Sequence, residues 1–265
     1  MQDISCVGQC SMTVAMPILS ACGQECCILP SAVLSTHTGG FQRPAVQDLT
    51  GGLREIWSHW RREEIKFDLI YTGYLGSIPA IREAEAIMDA LLAPGGKIVV
   101  DPAMADHGRL YAGFDEVYAE AMASLCARAD VMIPNITEAA MMTGMEYRES
   151  LDSAYVEALL EGLPGKQVLL TGVGFAEGET GFALRTNAGI TYYHHPKIGK
   201  NYHGTGDIFA ACFTGAWAKG KPLADAARIA ADFTCRCIEN THLDPAHWYG
   251  VKFETAIPAL IQMLD

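Results

Sequence analysis

Gly204-Thr205-Gly206-Asp207 stands immediately before the apolar stretch Ile208-Phe209-Ala210-Ala211, whose pattern predicts a helix over 208–219. Two glycines around a threonine would leave several backbone N–H groups open at the positive end of that helix. Such a cradle holds the charge of a transferring phosphoryl group without basic side chains. Asp207 is a poor phosphate ligand, because two anions repel. It is well placed to accept the proton of an alcohol that attacks the phosphate. The same four residues would equally make a glycine turn with Asp207 as an ordinary helix N-cap.

Two further groupings carry chemistry. In Asn135-Ile136-Thr137-Glu138 a carboxylate lies one helical turn from an amide, a spacing that can orient metal-bound water near a triphosphate. Thr137 could instead simply cap the helix. Asp101-Pro102-Ala103-Met104-Ala105-Asp106, followed by Gly108 and Tyr111, puts two acids on one loop, either for cation and phosphate handling or to solvate a turn. Other candidates have plainer roles. His37 is either a ring-stacking residue or a loop histidine satisfied by backbone. His194 and His195 are adjacent in a strand, point to opposite faces and make a poor metal pair. Met141, Met142 and Met145 fill a core. Trp57 and Trp60 share a helix face, in a core or a dimer contact, and 61–64 is a solvated helix end.

The elements that must position these residues follow an alternating pattern of short apolar runs and longer helical stretches, the signature of a parallel sheet covered by helices. Strands are expected at 4–7, 26–29, 68–71, 97–100, 130–133 and 167–170, with helices at 13–21 and 80–92 and a Met-rich helix after Glu138. Residues 181–186 and 190–194 read as an antiparallel hairpin turning at 187–189, and helices follow at 208–219, 222–240 and 253–264. No linker or repeat interrupts the pattern, so 1–265 reads as one domain. Tyr74, Asp101, Asn135, Glu138, Thr171 and Asp207 fall at or just after strand ends, where open α/β sheets bind ligands.

Composition limits the partners. Nineteen Lys and Arg against 31 Asp and Glu give a formal charge of −12, so no general positive field draws nucleic acid or anionic lipid. A phosphate would need a local device, such as a helix N-terminus or a metal. No apolar run is long enough to span a membrane. Nine cysteines, with no CxxC pair, predict reduced and mostly packed thiols in a cytoplasmic protein.

Taken in order, Gly8-Gln9-Cys10-Ser11, Ser35-Thr36-His37-Thr38-Gly39, Gly73-Tyr74-Leu75-Gly76-Ser77, Asp101-Pro102, Pro134-Asn135 with Glu138, Thr171-Gly172 and Gly204–Asp207 resemble the ribokinase-like superfamily. The His-Thr-Gly and Gly-Tyr-Leu-Gly-Ser segments resemble its vitamin B6 branch, the pyridoxal and pyridoxamine kinases and the related hydroxymethylpyrimidine kinases. The resemblance implies a three-layer α/β/α sandwich with a mostly parallel central sheet and a C-terminal antiparallel hairpin. It implies ATP-dependent phosphorylation of the 5′-hydroxymethyl group of pyridoxal, pyridoxamine or pyridoxine. The alternatives are hydroxymethylpyrimidine phosphorylation and a non-catalytic nucleotide- or vitamin-binding relative.

Carried over residue by residue, the resemblance makes Asp207 the base and Gly204, Thr205 and Gly206 the anion hole. Asn135 and Glu138 organise Mg²⁺ and triphosphate, with Asp101 as the other metal residue. Asp101, Asp106 and Tyr111 line the region of ATP and of a monovalent cation such as K⁺. Thr171, Gly172 and Thr205 meet nucleotide, while Cys10, Ser11, Thr38 and Tyr74 surround the substrate ring. A homodimer is implied as well. The chain departs from the pyridoxal kinase pattern at Cys10, where the family has serine. It also departs at Ala105, where glycine is frequent, and at Ile133, where a threonine often helps to bind the cation.

Overall fold

In the computed structural model, which describes residues 1–199 and 202–265, the chain forms two units: Met1–Leu49 with Ile198–Asp265, and Thr50–Lys197. The first unit begins with β1 (Gln2–Ser5), α1 (Met12–Ala21), β2 (Pro30–Leu34) and β3 (Val46–Asp48). β1 and β2 pair in parallel and β3 adds antiparallel to β2. The second strand lies at Pro30–Leu34 rather than at the expected 26–29, because Ile4 and Ser5 pair with Val33 and Leu34. Pro30 starts it, a position where a missing N–H breaks no ladder. The first strand also ends earlier than expected, and Val7 is exposed. In α1 the buried Met12, Val14, Ala15 and Ile18 recur at helical spacing.

The second unit runs α2 (Thr50–Arg62), β4 (Phe67–Thr72), α3 (Ile78–Leu91), β5 (Leu92–Val100), β6 (Ala105–Asp106), β7 (Arg109–Leu110), α4 (Glu116–Cys126), β8 (Val131–Met132), α5 (Ile136–Thr143), α6 (Ser153–Gly162), β9 (Gln167–Thr171), β10 (Glu179–Thr186) and β11 (Gly189–Pro196). Its sheet has the order β11-β10-β9-β8-β5-β4. β4, β5, β8 and β9 are parallel, and β10 and β11 form the antiparallel hairpin. The turn of that hairpin is Asn187-Ala188, since Gly189 already pairs with Thr186. α3 stops at Leu91 and β5 follows at once, one residue earlier than expected for the helix and five for the strand. Pro94 enforces this, because it cannot continue a helix and holds Ala93 extended.

Ser77, Asp115 and Asp152 cap α3, α4 and α6, each side chain accepting a backbone N–H of the first turn. Trp57 and Trp60 are packing residues of this unit. Trp57 is buried with its indole N–H on Glu83 at 2.7 Å, and the Trp60 ring meets Phe67 edge-on at 5.6 Å.

The first unit is completed by α7 (Thr205–Ala218), α8 (Leu223–Glu239), a 3₁₀ turn (Phe253–Ala256) and α9 (Ile257–Leu264). α7 is apolar on all sides, with Ile208 through Ala216 buried, and packs against both α1 and α8. At Gly215 a side chain would strike the Cys22 sulfur at 2.6 Å, so glycine lets α7 approach α1. All nine cysteines are free thiols. Among the described residues no helix is long and apolar enough to cross a membrane.

Candidate active site

α7 starts three residues earlier than its sequence pattern predicts. Gly204 is the N-cap, and Thr205, Gly206 and Asp207 form the first turn. The simple alternative, Asp207 as N-cap, is therefore corrected. Gly204 sits at φ 78°, and a Cβ there would lie 1.8 Å from the Gln9 carbonyl oxygen, so only glycine fits. Thr205 donates its hydroxyl to the Tyr202 carbonyl at 3.2 Å, which fixes the entry of the chain. The first N–H groups of a helix have no intrahelical partner. Here they are those of Gly204, Thr205, Gly206 and Asp207, with open space beside Gly206. This is a positive cradle made of backbone.

Asp207 projects from that turn and accepts the backbone N–H of Ser11. Burial raises its carboxyl to about 7, the Ser11 N–H opposes the rise, and the charge of Asp3 adds to it. Cys10 lies on the same side, and burial together with Asp207 and Asp3 pushes its thiol well up. It is a neutral thiol at neutral pH, not a nucleophile. Ser11 is buried, and its hydroxyl turns inward to Asp3. Thr38 is exposed on the loop that follows β2.

His37 resolves toward its plainer role. Nδ1 accepts the Gly39 N–H at 3.0 Å, so Nε2 carries the proton and donates to the Tyr249 carbonyl at 2.7 Å. Phe41 and His203 flank its ring at 5.0 and 5.4 Å. Gln9, which chemistry-bearing residue types do not single out, joins the same loops: it donates to Glu254 at 2.7 Å and contacts His247 at 2.9 Å.

The second unit gathers its candidates at the carboxyl ends of adjacent parallel strands. Tyr74 follows β4, Asp101 follows β5, Asn135 follows β8 and Thr171 ends β9. Asn135 and Glu138 form a reciprocal capping box on α5. The Asn135 side chain accepts the Glu138 N–H, and Glu138 accepts the Asn135 N–H, both at 2.9 Å. The other Glu138 oxygen accepts the Met104 N–H at 2.9 Å, and the Asn135 amide donates to the Ala105 carbonyl at 2.8 Å. Thr137 is thus not the cap; its hydroxyl accepts the Gly108 N–H at 3.0 Å.

The loop after Asp101 is thereby tied to the start of α5. It folds into the β6–β7 hairpin, with His107 and Gly108 at φ 49° and 75°, the geometry of a type I′ turn. Asp106 and Tyr111 are exposed on it, and Asp101 is buried with one oxygen on the Ala103 N–H at 3.2 Å. Thr171 donates to the Pro134 carbonyl at 3.3 Å, and Gly172 is exposed at φ 79°. The Tyr74 ring stacks on Phe114 at 5.5 Å.

Asn135→Ala should cost about 1–2 kcal/mol, the sum of a lost cap and a lost loop bond. The shift of the urea midpoint measures it; an unchanged midpoint would show that the link between α5 and the loop contributes nothing.

Glu138 is 2% exposed, and burial raises its carboxyl to about 7, with Asp106 adding to the rise. A cation would relieve that cost. Among the described residues no three His, Cys, Asp or Glu cluster as a metal cage. Mg²⁺ is usually held by one or two carboxylates plus substrate phosphates and water. Asp101 and Glu138, both buried carboxyl groups, offer the hard oxygen donors that such a cation takes.

The phosphomethylpyrimidine kinase family matches residues 55–251, well over half of the chain. The chain belongs to the phosphomethylpyrimidine kinase family. Within that family it is similar to enzymes of two kinds. It is 29% identical to the hydroxymethylpyrimidine/phosphomethylpyrimidine kinase of Bacillus subtilis over 68% of this chain and 66% of that protein. It is 27% identical to the pyridoxine/pyridoxal/pyridoxamine kinase of Bordetella pertussis over 88% of this chain and 85% of that one.

Among solved structures, the pyridoxal kinase of Lactobacillus plantarum superposes with a TM-score of 0.90 at 33% identity, covering 99% of this chain and 95% of that one. A Bacteroides thetaiotaomicron protein, provisionally described as a phosphomethylpyrimidine kinase and solved with pyridoxal, gives 0.90 at 31% identity over 97% and 93%. The expected fold, a ribokinase-like α/β/α architecture with a mostly parallel sheet, is the fold of this kinase.

Proposed function

We propose that the chain is an ATP-dependent kinase for the 5′-hydroxymethyl group of pyridoxal, pyridoxamine and pyridoxine. The observation that carries this reading is Asp207, a carboxylate with basicity raised to about 7, held in the first turn of α7 beside the backbone cradle. A base near neutrality combines the right protonation state with a strong pull on the proton. The substrate oxygen attacks the γ-phosphorus in line, its proton passes to Asp207, and the bond from phosphorus to the ADP oxygen breaks. The N–H groups at Gly204–Gly206 meet the charge of the transferring group, which asks for no basic side chain.

In this reading Asp101, Asp106, Tyr111, Asn135, Thr171, Gly172 and Thr205 serve the nucleotide, and Cys10, Ser11, Thr38 and Tyr74 surround the ring. Asp101 and Glu138 would hold Mg²⁺, which supplies charge neutralisation of the triphosphate. The loop of Asp101 and Asp106 is where a monovalent cation such as K⁺ would act. In this proposal 1–265 works as a single kinase domain. A homodimer in the cytoplasm, with its thiols reduced, completes the proposal.

The choice of B6 vitamers is supported by the near full-length likeness to the Lactobacillus plantarum pyridoxal kinase. A hydroxymethylpyrimidine kinase is the second reading, favoured by the Bacillus subtilis relative. An ATP-coupled assay of the three unphosphorylated vitamers and hydroxymethylpyrimidine separates them. We expect kcat/KM to favour a B6 vitamer by at least about tenfold, roughly 1.4 kcal/mol. A preference for the pyrimidine would overturn the substrate, and no ATP turnover with any of the four would leave a non-catalytic binding protein.

A further inference from the structure

Asp3 has no part in the transfer just described, yet β1 buries it to 2% exposure. Two hydroxyls turn to its carboxylate: Ser5 donates at 3.0 Å, and Ser11 donates from the start of α1. Ser11 itself is held at φ 56°, ψ −133°, a conformation that side-chain-bearing residues rarely adopt. It occupies the N-cap position of α1 without using its side chain as a cap, and it bridges to Ile4 of β1. A residue in such a conformation persists only where its surroundings over-determine it, and such sites concentrate where function needs them. What over-determines Ser11 is a pair of acids. Its hydroxyl goes to Asp3 and its N–H goes to Asp207.

We propose that Asp3 is a positioning residue for Asp207. By holding the Ser11 hydroxyl it turns the Ser11 N–H onto the Asp207 carboxylate, and its own charge sets how readily that carboxylate takes a proton. The proposal rests on the reading of Asp207 as the base.

The two influences oppose each other. The Ser11 N–H stabilises ionised Asp207, and the neighbouring negative charge of Asp3 destabilises it. The other groups in play are few. Cys10, from the loop before α1, faces both acids as a neutral thiol. His37 lies near Asp3 and opposes the rise that burial imposes on that carboxyl. Further along α7, Cys212 meets Cys22 of α1 and Cys237 of α8, all three raised by burial. Asp3→Asn keeps one acceptor oxygen, which can serve the Ser11 hydroxyl, and removes the charge. Asp3→Ala removes both.

The test follows Asp207 directly, by ¹³C NMR of protein labelled at aspartate carboxyl carbons, with Asp207→Asn to assign the resonance. In Asp3→Asn the Asp207 titration midpoint should fall by about 0.5–1 unit, and the acidic limb of kcat/KM should move with it. Asp3→Ala should lower kcat at least about tenfold, with KM for ATP within about twofold, and Asp3→Asn should recover most of that loss at its own optimum. An unmoved midpoint in Asp3→Asn overturns the proposal, and so does wild-type kcat in a folded Asp3→Ala. If Asp3→Ala does not fold, the asparagine variant alone decides. The NMR readout needs no turnover. A wild-type protein without kinase activity, but with an Asp207 midpoint that responds to residue 3, would sink the functional reading and leave the link intact.

Discussion

Asp207→Asn is expected to lower kcat by about two to four orders of magnitude while leaving ATP affinity within a few-fold, because it removes a proton acceptor and alters no cradle N–H. The same substitution should make the protein more stable. The folded-state value of Asp207 is raised from 3.8 to about 7, so the native state resists ionisation that the unfolded chain accepts. Below about pH 4 both states are protonated and the variant gains nothing. Between about pH 4 and pH 7 the wild type loses stability relative to the variant, and above about pH 7 the gap is constant. A shift of this size has a ceiling of about 4 kcal/mol. The side chain is only partly buried, so solvent screening reduces the expected gap to about 1–2 kcal/mol. Paired thermal melts at pH 4.0 and 8.0 and steady-state kinetics check both halves. Near-normal turnover sinks the base; a gap that is the same at both pH values sinks the account of its burial.

Gly204→Ala should be the most damaging backbone change in the cradle. The new Cβ must share space with the Gln9 carbonyl oxygen, 1.8 Å away, at a φ of 78° that costs alanine about 1–2 kcal/mol on its own. The clash adds about 1–3 kcal/mol of overpacking. Together about 2–5 kcal/mol of stability is lost, and the first turn of α7 shifts, so kcat should fall at least about a hundredfold. Gly206→Ala is the control. It sits in open space at an ordinary φ, so it should melt like the wild type. Equal melting points for the two variants would show that the contact with Gln9 does not constrain the cradle.

Most of the candidate site residues are legible in the sequence because they sit where a pattern changes. Tyr74, Asp101, Asn135 and Thr171 each follow an apolar run that stops at a glycine, proline or helix cap, and the structure puts all four at carboxyl ends of neighbouring strands. The start of α7 is harder to read. Glycines look like breakers, yet Gly204 is the N-cap and Gly206 lies inside the first turn. β2 is displaced because register is decided by the partner strand and not by local apolarity. Asp3 goes unnoticed because one acid near a chain end reads as solvated. Gln2 and Ser5, polar residues of the same strand, which is buried almost throughout, are the signal that could have found it. Glu138 is legible as a candidate for metal and triphosphate, but its capping role and its bond to the Met104 N–H, which joins residues 34 apart, are not.

The first unit is assembled from Met1–Leu49 and Ile198–Asp265, while the second is the uninterrupted stretch Thr50–Lys197. Ser11 and Asp207, joined by one hydrogen bond, lie on either side of that stretch. Ribosomal synthesis would deliver the second unit whole while β1, α1 and β2 still await α7 and α8. Contacts of such long sequence separation form late and slowly. A chain released before residue 205 could therefore fold its central unit and would lack Asp207 and the first turn of α7. An abortive translation product would leave the apolar side of α1 uncovered for chaperones or proteases to find.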